Sequence, residues 1–209
     1  MLTRNQRDIK NFIENRGIIA LTHFTHIDNL ESILNYGLLS LDDLKIRNFD
    51  YNYNDELRLE GKSNATCLSI SFPNYKMFYK YRCQKHGEWC VLALDPKILY
   101  EKDCLFCISN AASSSELSRK DTLRSNVSGL KKLFYDPNFY RDSVKLPTRY
   151  TTDPQAEVLV LNSIEPSYIK SIHFDRKHKE AKAFMDKFPH INFYITPQVF
   201  SYRYDYAHW

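Results

Sequence analysis

Short β-type runs, unevenly spaced and closed by turn residues, limit most strongly what this chain can fold into. Residues 18–24 follow Gly17, residues 66–72 alternate in polarity and stop at Pro73, and residues 89–94 stop at Asp95-Pro96. Residues 103–108, 158–161, 169–174 and 191–195 have the same character. Helical spacing is rarer. It marks residues 7–16, where Ile9, Phe12 and Ile13 share a face. It also marks a helix carrying Leu30, Ile33 and Leu34, with Asp28 and Asn29 as candidate N-caps and Gly37 as its C-cap. Residues 75–81, a stretch ending near Tyr135, and residues 177–187 read as helical too. Residues 41–64 form a long functional loop or a few helical turns, and 136–154 a second long loop. Strands outnumber helices, spacings are irregular and no repeat is visible. That predicts a single α+β domain over residues 1–209 rather than a doubly wound α/β fold. With 5 glycines in the whole chain, no Gly-rich phosphate loop is available, which argues against Rossmann and Walker-type chemistry.

Charge and cysteine use narrow the setting. The formal net charge of +4 permits nucleic-acid binding without demanding it. Many of the 15 tyrosines and 13 phenylalanines stand among lysines and arginines, so not all can be core residues. From residue 119 to 150 the chain carries Arg119, Lys120, Arg124, Lys131, Lys132, Arg141, Lys145 and Arg149 against Asp121, Asp136 and Asp142. Phe134, Tyr135, Phe139, Tyr140 and Tyr150 are interleaved with them. Cations for phosphates and rings for unstacked bases suit a single-stranded nucleic acid, although a solvated basic helix and loop would read the same way. Five cysteines is an odd count, against a secreted disulfide framework. Cys104 and Cys107 lack a second Cys or His pair at zinc-site distance and read as small apolar residues of a buried strand. The N-terminus has no signal-like apolar region and no run is long enough to span a bilayer, so a cytoplasmic protein without a membrane partner is expected.

Chemistry concentrates at a few points. Glu157 opens the apolar run Val158-Leu159-Val160-Leu161, and a carboxylate there is costly to desolvate, as in sites tuned for acid chemistry. The loop feeding it, from Thr148 to Pro154, is polar, aromatic and stiffened by proline. On a strand Gln155 would share the face of Glu157. His23 stands where a strand turns toward a helix, placed to donate to a hydroxyl, with Thr25 and backbone amides nearby for amide or phosphate groups. Arg58 has the geometry to grip a pyrophosphate. Tyr75 and Phe78 lie on adjacent helical turns and offer rings for stacking. Singly, each has a plainer reading as a solvated glutamate, a locally bonded histidine, a surface arginine or core aromatics.

Taken together these segments resemble a known family. Thr22-His23-Phe24-Thr25-His26-Ile27-Asp28-Asn29-Leu30, then Ile33-Leu34-Asn35-Tyr36-Gly37-Leu38-Leu39, then Asn110-Ala111-Ala112-Ser113, then Gln155-Ala156-Glu157 before apolar residues, follow the order of the DarT family. DarT proteins are nucleic-acid ADP-ribosyltransferase toxins of bacterial toxin–antitoxin systems. The resemblance runs from residue 22 to about 174. Ser71-Phe72-Pro73-Asn74-Tyr75-Lys76-Met77-Phe78 stands where many members carry a V-P-F-Y-F-like string, which marks a divergent subgroup. The resemblance implies an ADP-ribosyltransferase-like fold with a split, mostly antiparallel central sheet flanked by helices. It implies NAD+ as a consumed co-substrate, with no permanently bound cofactor and no metal. Glu157 and Arg58 would be catalytic. His23, Phe24, Thr25, Asn29, Gly37, Leu38, Arg58, Phe72, Tyr75 and Phe78 would bind NAD+, the last two by stacking on nicotinamide. Gln155, Arg149, Tyr150, Thr152, Lys145 and Asn110 would serve the nucleic-acid acceptor. The implied activity is transfer of ADP-ribose to a nucleobase of single-stranded DNA in a toxin–antitoxin or phage-defence system, with a macrodomain antitoxin as partner. RNA as acceptor, a protein acceptor, or an inactive module that only binds single strands remain alternatives.

Overall fold

A computed structural model describes residues 1–48, 61–177 and 179–209. Helix α1 (Arg4–Arg16) starts earlier than its apolar spacing suggests, because Thr3 and Gln6 cap each other's backbone amides in a capping box. It ends at Gly17, whose φ of +65° is the left-handed conformation glycine tolerates. Ile9 and Ile13 are its buried face, and the Phe12 ring meets Phe134 edge-on at 5.4 Å.

Strand β1 (Leu21–His26) leads through a 3-10 turn (Ile27–Asn29) into α2 (Leu30–Tyr36). After α3 (Leu41–Ile46) come β2 (Ala65–Ile70), α4 (Tyr75–Gln84), β3 (Trp89–Leu94), the single turn α5 (Ile98–Glu101) and β4 (Cys104–Cys107). The stretch read as one helix up to Tyr135 is broken instead into α6 (Ser114–Leu117), a 3-10 turn and α7 (Val127–Lys132). Glu116 and Arg124, on either side of the break, are both turned inward, 2% and 5% exposed. The loop expected at 136–154 holds one helical turn, α8 (Tyr140–Ser143), capped by the Asp136 carboxylate, which accepts from the Tyr140 and Arg141 amides. Strands β5 (Glu157–Leu161) and β6 (Ile169–Phe174), helix α9 (Lys179–Lys187) and strand β7 (Asn192–Ile195) follow.

The strands form one sheet in the order β4-β5-β2-β1-β3-β6-β7. Every pairing is antiparallel except β6 with β7. The sheet is split along its middle. β1 pairs with β3 over its whole length, from Leu21↔Leu94 to His26↔Trp89, but meets β2 only at Leu21↔Ile70 and Thr22↔Ser69. Past that junction β2 keeps company with β5, from Leu68↔Val158 to Ala65↔Leu161. Residues such as Leu21, Ile70, Leu92, Phe106, Val158 and Phe174 fill a continuous core beneath both halves. The α+β class expected from the strand spacing and the split, mostly antiparallel sheet implied by the resemblance are therefore present.

Cys104 and Cys107 serve as buried packing atoms. Cys104 Sγ donates to the Ile98 carbonyl, Cys107 Sγ accepts from Arg124 Nη1, and burial pushes both thiols up to about 12. No described helix is long and apolar enough to cross a membrane.

Candidate active site

Glu157 is the first residue of β5, opposite Cys107 of β4, and only 6% exposed. Its Oε2 accepts a 2.8 Å hydrogen bond from the Ala111 amide. That amide is aimed by its neighbours. Asn110 Oδ1 accepts from the Ala112 amide and the Asn110 carbonyl accepts from Ser113, closing a tight turn with Ala111 at its apex. Asn110, expected at the acceptor, thus shapes the turn that orients the carboxylate. Beneath it, the buried Glu116 carboxylate is held bidentately by Arg119 Nη1 and accepts from the Ile108 amide.

The second group lines the split. Ser69 follows Leu68, the partner of Val158, and itself pairs with Thr22, so Glu157 and His23 flank the junction from opposite half-sheets. At His23 the ladder between β1 and β2 gives way to a side chain, whose Nδ1 lies 2.9 Å from the Cys67 carbonyl. A carbonyl only accepts, so Nδ1 carries the proton of this hydrogen bond. Thr25 is buried, and its Oγ1 accepts from Asn29 Nδ2, locking the turn from β1 into α2. Gly37 takes φ +90° in close contact with the Ile164 carbonyl, where any Cβ would collide, and Leu38 bridges Ile164 through two 2.9 Å backbone bonds. These two residues anchor α2 against the chain leaving β5.

The aromatic residues divide. Phe24 stacks on Phe78 at 4.6 Å, and Phe78 is 2% exposed among Trp89, Val91 and Phe200. Phe78 therefore packs in a core cluster and does not present the open ring face expected of it; it backs Phe24 instead. Tyr75 is also buried, its hydroxyl lacks a hydrogen-bond partner among the described residues, and burial and nearby Asp205 raise its pKa. Phe72 is half-buried and meets the Tyr150 ring edge-on at 5.8 Å, linking the end of β2 to the loop before Glu157. Arg58 lies outside the described residues.

That loop is held by three arginines. Arg16 Nη1 donates to the Thr148 carbonyl, Arg141 to the carbonyls of Pro147 and Tyr150 and to Thr152 Oγ1, and Arg203 to the carbonyls of Thr151 and Thr152. Burial lowers the pKa of both Arg16 and Arg141, with repulsion from Arg141 adding to the first and from Arg203 to the second. Arg203 is 2% exposed and paired bidentately with Asp205 at 2.6 Å. Burial works against the ionised form of Asp205, but Arg203 and the Tyr140 hydroxyl outweigh it and hold the carboxyl below its ordinary range. Gln155 lies in a turn before the strand, its amide donating to Asp153 Oδ1, so strand alternation does not set its direction. Lys145 and Arg149 are exposed, with the Arg149 guanidinium 5.1 Å from the Tyr150 ring centroid.

The basic stretch expected to follow phosphates is thereby divided. Arg119, Arg124 and Arg141 are committed internally, while Lys120, Lys131, Lys132, Lys145 and Arg149 face solvent. Arg203 and Asp205 were not anticipated. Their only signal is the alternation Tyr202-Arg203-Tyr204-Asp205-Tyr206, which is too short to distinguish from an ordinary polar tail.

Comparison with known proteins converges on one group. The family model for DarT, described as ssDNA thymidine ADP-ribosyltransferase, matches residues 22–201. A DNA ADP-ribosyl transferase–DNA ADP-ribosyl glycohydrolase fusion protein of Thermosipho africanus (strain H17ap60334) is 27% identical over 169 residues, covering 73% of this chain and 42% of the relative. The chain thus spans less than half the length of that relative. Among solved structures, Thermosipho africanus DarTG in complex with ADP-ribose superposes with a TM-score of 0.63 at 20% identity, over 87% of this chain and 51% of that one. Thermus sp. 2.9 DarT in complex with ADP-ribosylated ssDNA gives a TM-score of 0.57 at 17% identity, over 88% and 97%. The same Thermus protein in complex with carba-NAD+ gives 0.58 at 16% identity, over 88% and 98%.

Proposed function

The chain belongs to the DarT family, and on that premise we propose that it transfers the ADP-ribose of NAD+ to thymidine in single-stranded DNA, releasing nicotinamide. The observation that carries this reading is Glu157, buried and oriented at the junction where the sheet parts, directly after an arginine-braced loop. NAD+ would lie in the split, with His23 toward a ribose hydroxyl. The bond from C1′ to nicotinamide breaks with its electron pair leaving on nicotinamide, and positive charge grows on the ribose as in glycoside cleavage. Glu157 then accepts a hydrogen bond from the 2′-hydroxyl and stabilises that charge electrostatically. The ring nitrogen of the base forms the new bond to C1′, and its proton passes to Glu157 as general base.

A base stacked in a duplex cannot reach this site, so an unpaired strand is the substrate. Tyr150, Thr152 and Gln155 stand on the acceptor side, with Arg149 and Lys145 toward phosphates. The fused relative's name couples transfer to removal of the mark, and we infer a separate or fused hydrolase, the macrodomain antitoxin, as partner of a toxin. We place the enzyme in the cytoplasm, where NAD+ and DNA occur together.

The test uses labelled NAD+ with matched oligonucleotides: DNA with and without thymidine, and the same sequences as RNA. Label on thymidine-containing DNA, lost in Glu157→Ala, is expected. Label on RNA or protein alone would replace the acceptor, and equal label from the Glu157→Ala variant would remove Glu157 from catalysis.

A further inference from the structure

The segment that braces the acceptor loop has a second face. Arg203 and Asp205 point inward at 2% exposure each, while Tyr202, Tyr204 and Tyr206, alternating with them, are 49%, 53% and 52% exposed. The rings of Tyr202 and Tyr206 stack at 5.1 Å with 29° between their planes. Tyr79 of α4, 56% exposed, extends the row at 6.0 Å from Tyr202. Beside Tyr79 and Tyr202 lies a cleft of about 460 Å³ that reaches Phe200 and is lined by Arg82 and Arg176 together with Asp175 and Glu88. That volume is within the range of ligand-holding clefts, roughly 300–1,000 Å³.

The charge around the row is basic on balance. Helix α4 carries Lys76, Lys80 and Arg82 and no acidic residue. Asp175 and Glu88 at the cleft are ion-paired with Arg82 and Arg176, and Asp205 is buried against Arg203. The row also begins at the acceptor loop. Arg203, between Tyr202 and Tyr204, donates to Thr151 and Thr152 and stands 5.9 Å from the Tyr150 ring centroid. Half-exposed rings in a row, the lysines of α4, and continuity with the loop before Glu157 are what a single strand needs for stacking its bases and neutralising its phosphates.

We propose that Tyr79, Tyr202 and Tyr206 form a stacking platform for the nucleotides that flank the modified base on a single DNA strand. The platform rests on the DNA-transferase reading above and deepens it. It supplies affinity for the strand without contacting the reacting atoms, and it is tolerant of flanking sequence because every base has a π face.

Fluorescence anisotropy with a labelled long oligonucleotide, paired with steady-state transfer to that oligonucleotide and to a trinucleotide acceptor, tests it. Tyr79→Ala, Tyr202→Ala and Tyr206→Ala are each expected to weaken binding of the long strand about tenfold, within the roughly 5- to 150-fold that one base stack carries. KM for the long strand rises in parallel, KM for NAD+ and turnover on the trinucleotide stay at wild-type values, and Tyr202→Phe restores binding. Unchanged Kd and KM for the long strand in all three alanine variants would overturn the platform while leaving the transferase reading intact. Unchanged DNA binding with loss of affinity for the partner hydrolase would assign the surface to a protein and overturn it as well. Wild-type chain that binds the strand through these rings but labels no DNA would overturn the transferase reading instead.

Discussion

At the scale of single residues, the site depends on a few directed hydrogen bonds. The Glu157 carboxylate accepts from the Ala111 amide, and the turn that carries this amide is closed by Asn110, whose Oδ1 accepts from the Ala112 amide. Glu157→Gln keeps the shape and removes the charge, so transfer is expected to fall about a thousandfold or more while thermal stability stays near wild type. Single-turnover transfer and a melting curve check this; a loss of less than tenfold would contradict it. Asn110→Ala removes only the acceptor that tightens the Ala111 turn, a bond worth about 1 kcal/mol. Turnover is expected to drop about tenfold with KM for NAD+ little changed, because the group displaced acts in the transition state. Wild-type turnover would show that the turn holds its shape without Asn110. Glu157 was legible in the sequence because it opens an apolar run. The turn that aims it was not, since Asn110 reads equally as a ligand and as a turn residue.

At the scale of elements, the arginine-braced loop is the part the sequence misrepresented. Arg141 looked like a phosphate contact, yet its guanidinium is spent on the carbonyls of Pro147 and Tyr150. Arg203→Ala would leave Asp205 buried without its partner and two loop carbonyls unpaired, and is expected to destabilise the fold by about 3–5 kcal/mol in urea titration. A loss below about 1 kcal/mol, the level of an ordinary surface change, would mean the brace is dispensable. The pair also sets an acid limit. The folded-state pKa of Asp205 is depressed below its ordinary 3.8, so the folded chain binds this proton less readily than the unfolded chain. Its contribution is complete above the unfolded value and is lost as pH falls through that value toward the folded one. Asp205→Asn should flatten the stability profile in this acid window. A profile as steep as wild type would place the acid transition on other carboxylates.

At the scale of the whole molecule, NAD+ bound where we propose would join the two halves of the split sheet. β1 and β2 share only the pairs at Leu21 and Thr22, and His23 bridges the gap that follows with a side chain. A ligand seated there stabilises the native state by mass action, about 2.7 kcal/mol at one hundred times its Kd. NAD+ added to the Glu157→Gln variant, which prevents turnover, is expected to raise the unfolding free energy by this amount. Adding His23→Ala should remove most of that gain; an undiminished gain would place NAD+ elsewhere.

The sequence by itself determined the α+β class, most strands to within a few residues, and the order of the His23, Asn110 and Glu157 segments. Apolar period, proline stops and motif spacing are local properties, and they survive without knowledge of the fold. Only the tertiary structure decided where the sheet parts, that Phe78 packs inward, and which cations are spent inside the molecule. An arginine has the same sequence signature whether it meets a phosphate or a carbonyl. Arg203 finds its partners at Thr151 and Thr152, some fifty positions away, and separations of that length are closed by packing rather than by local pattern.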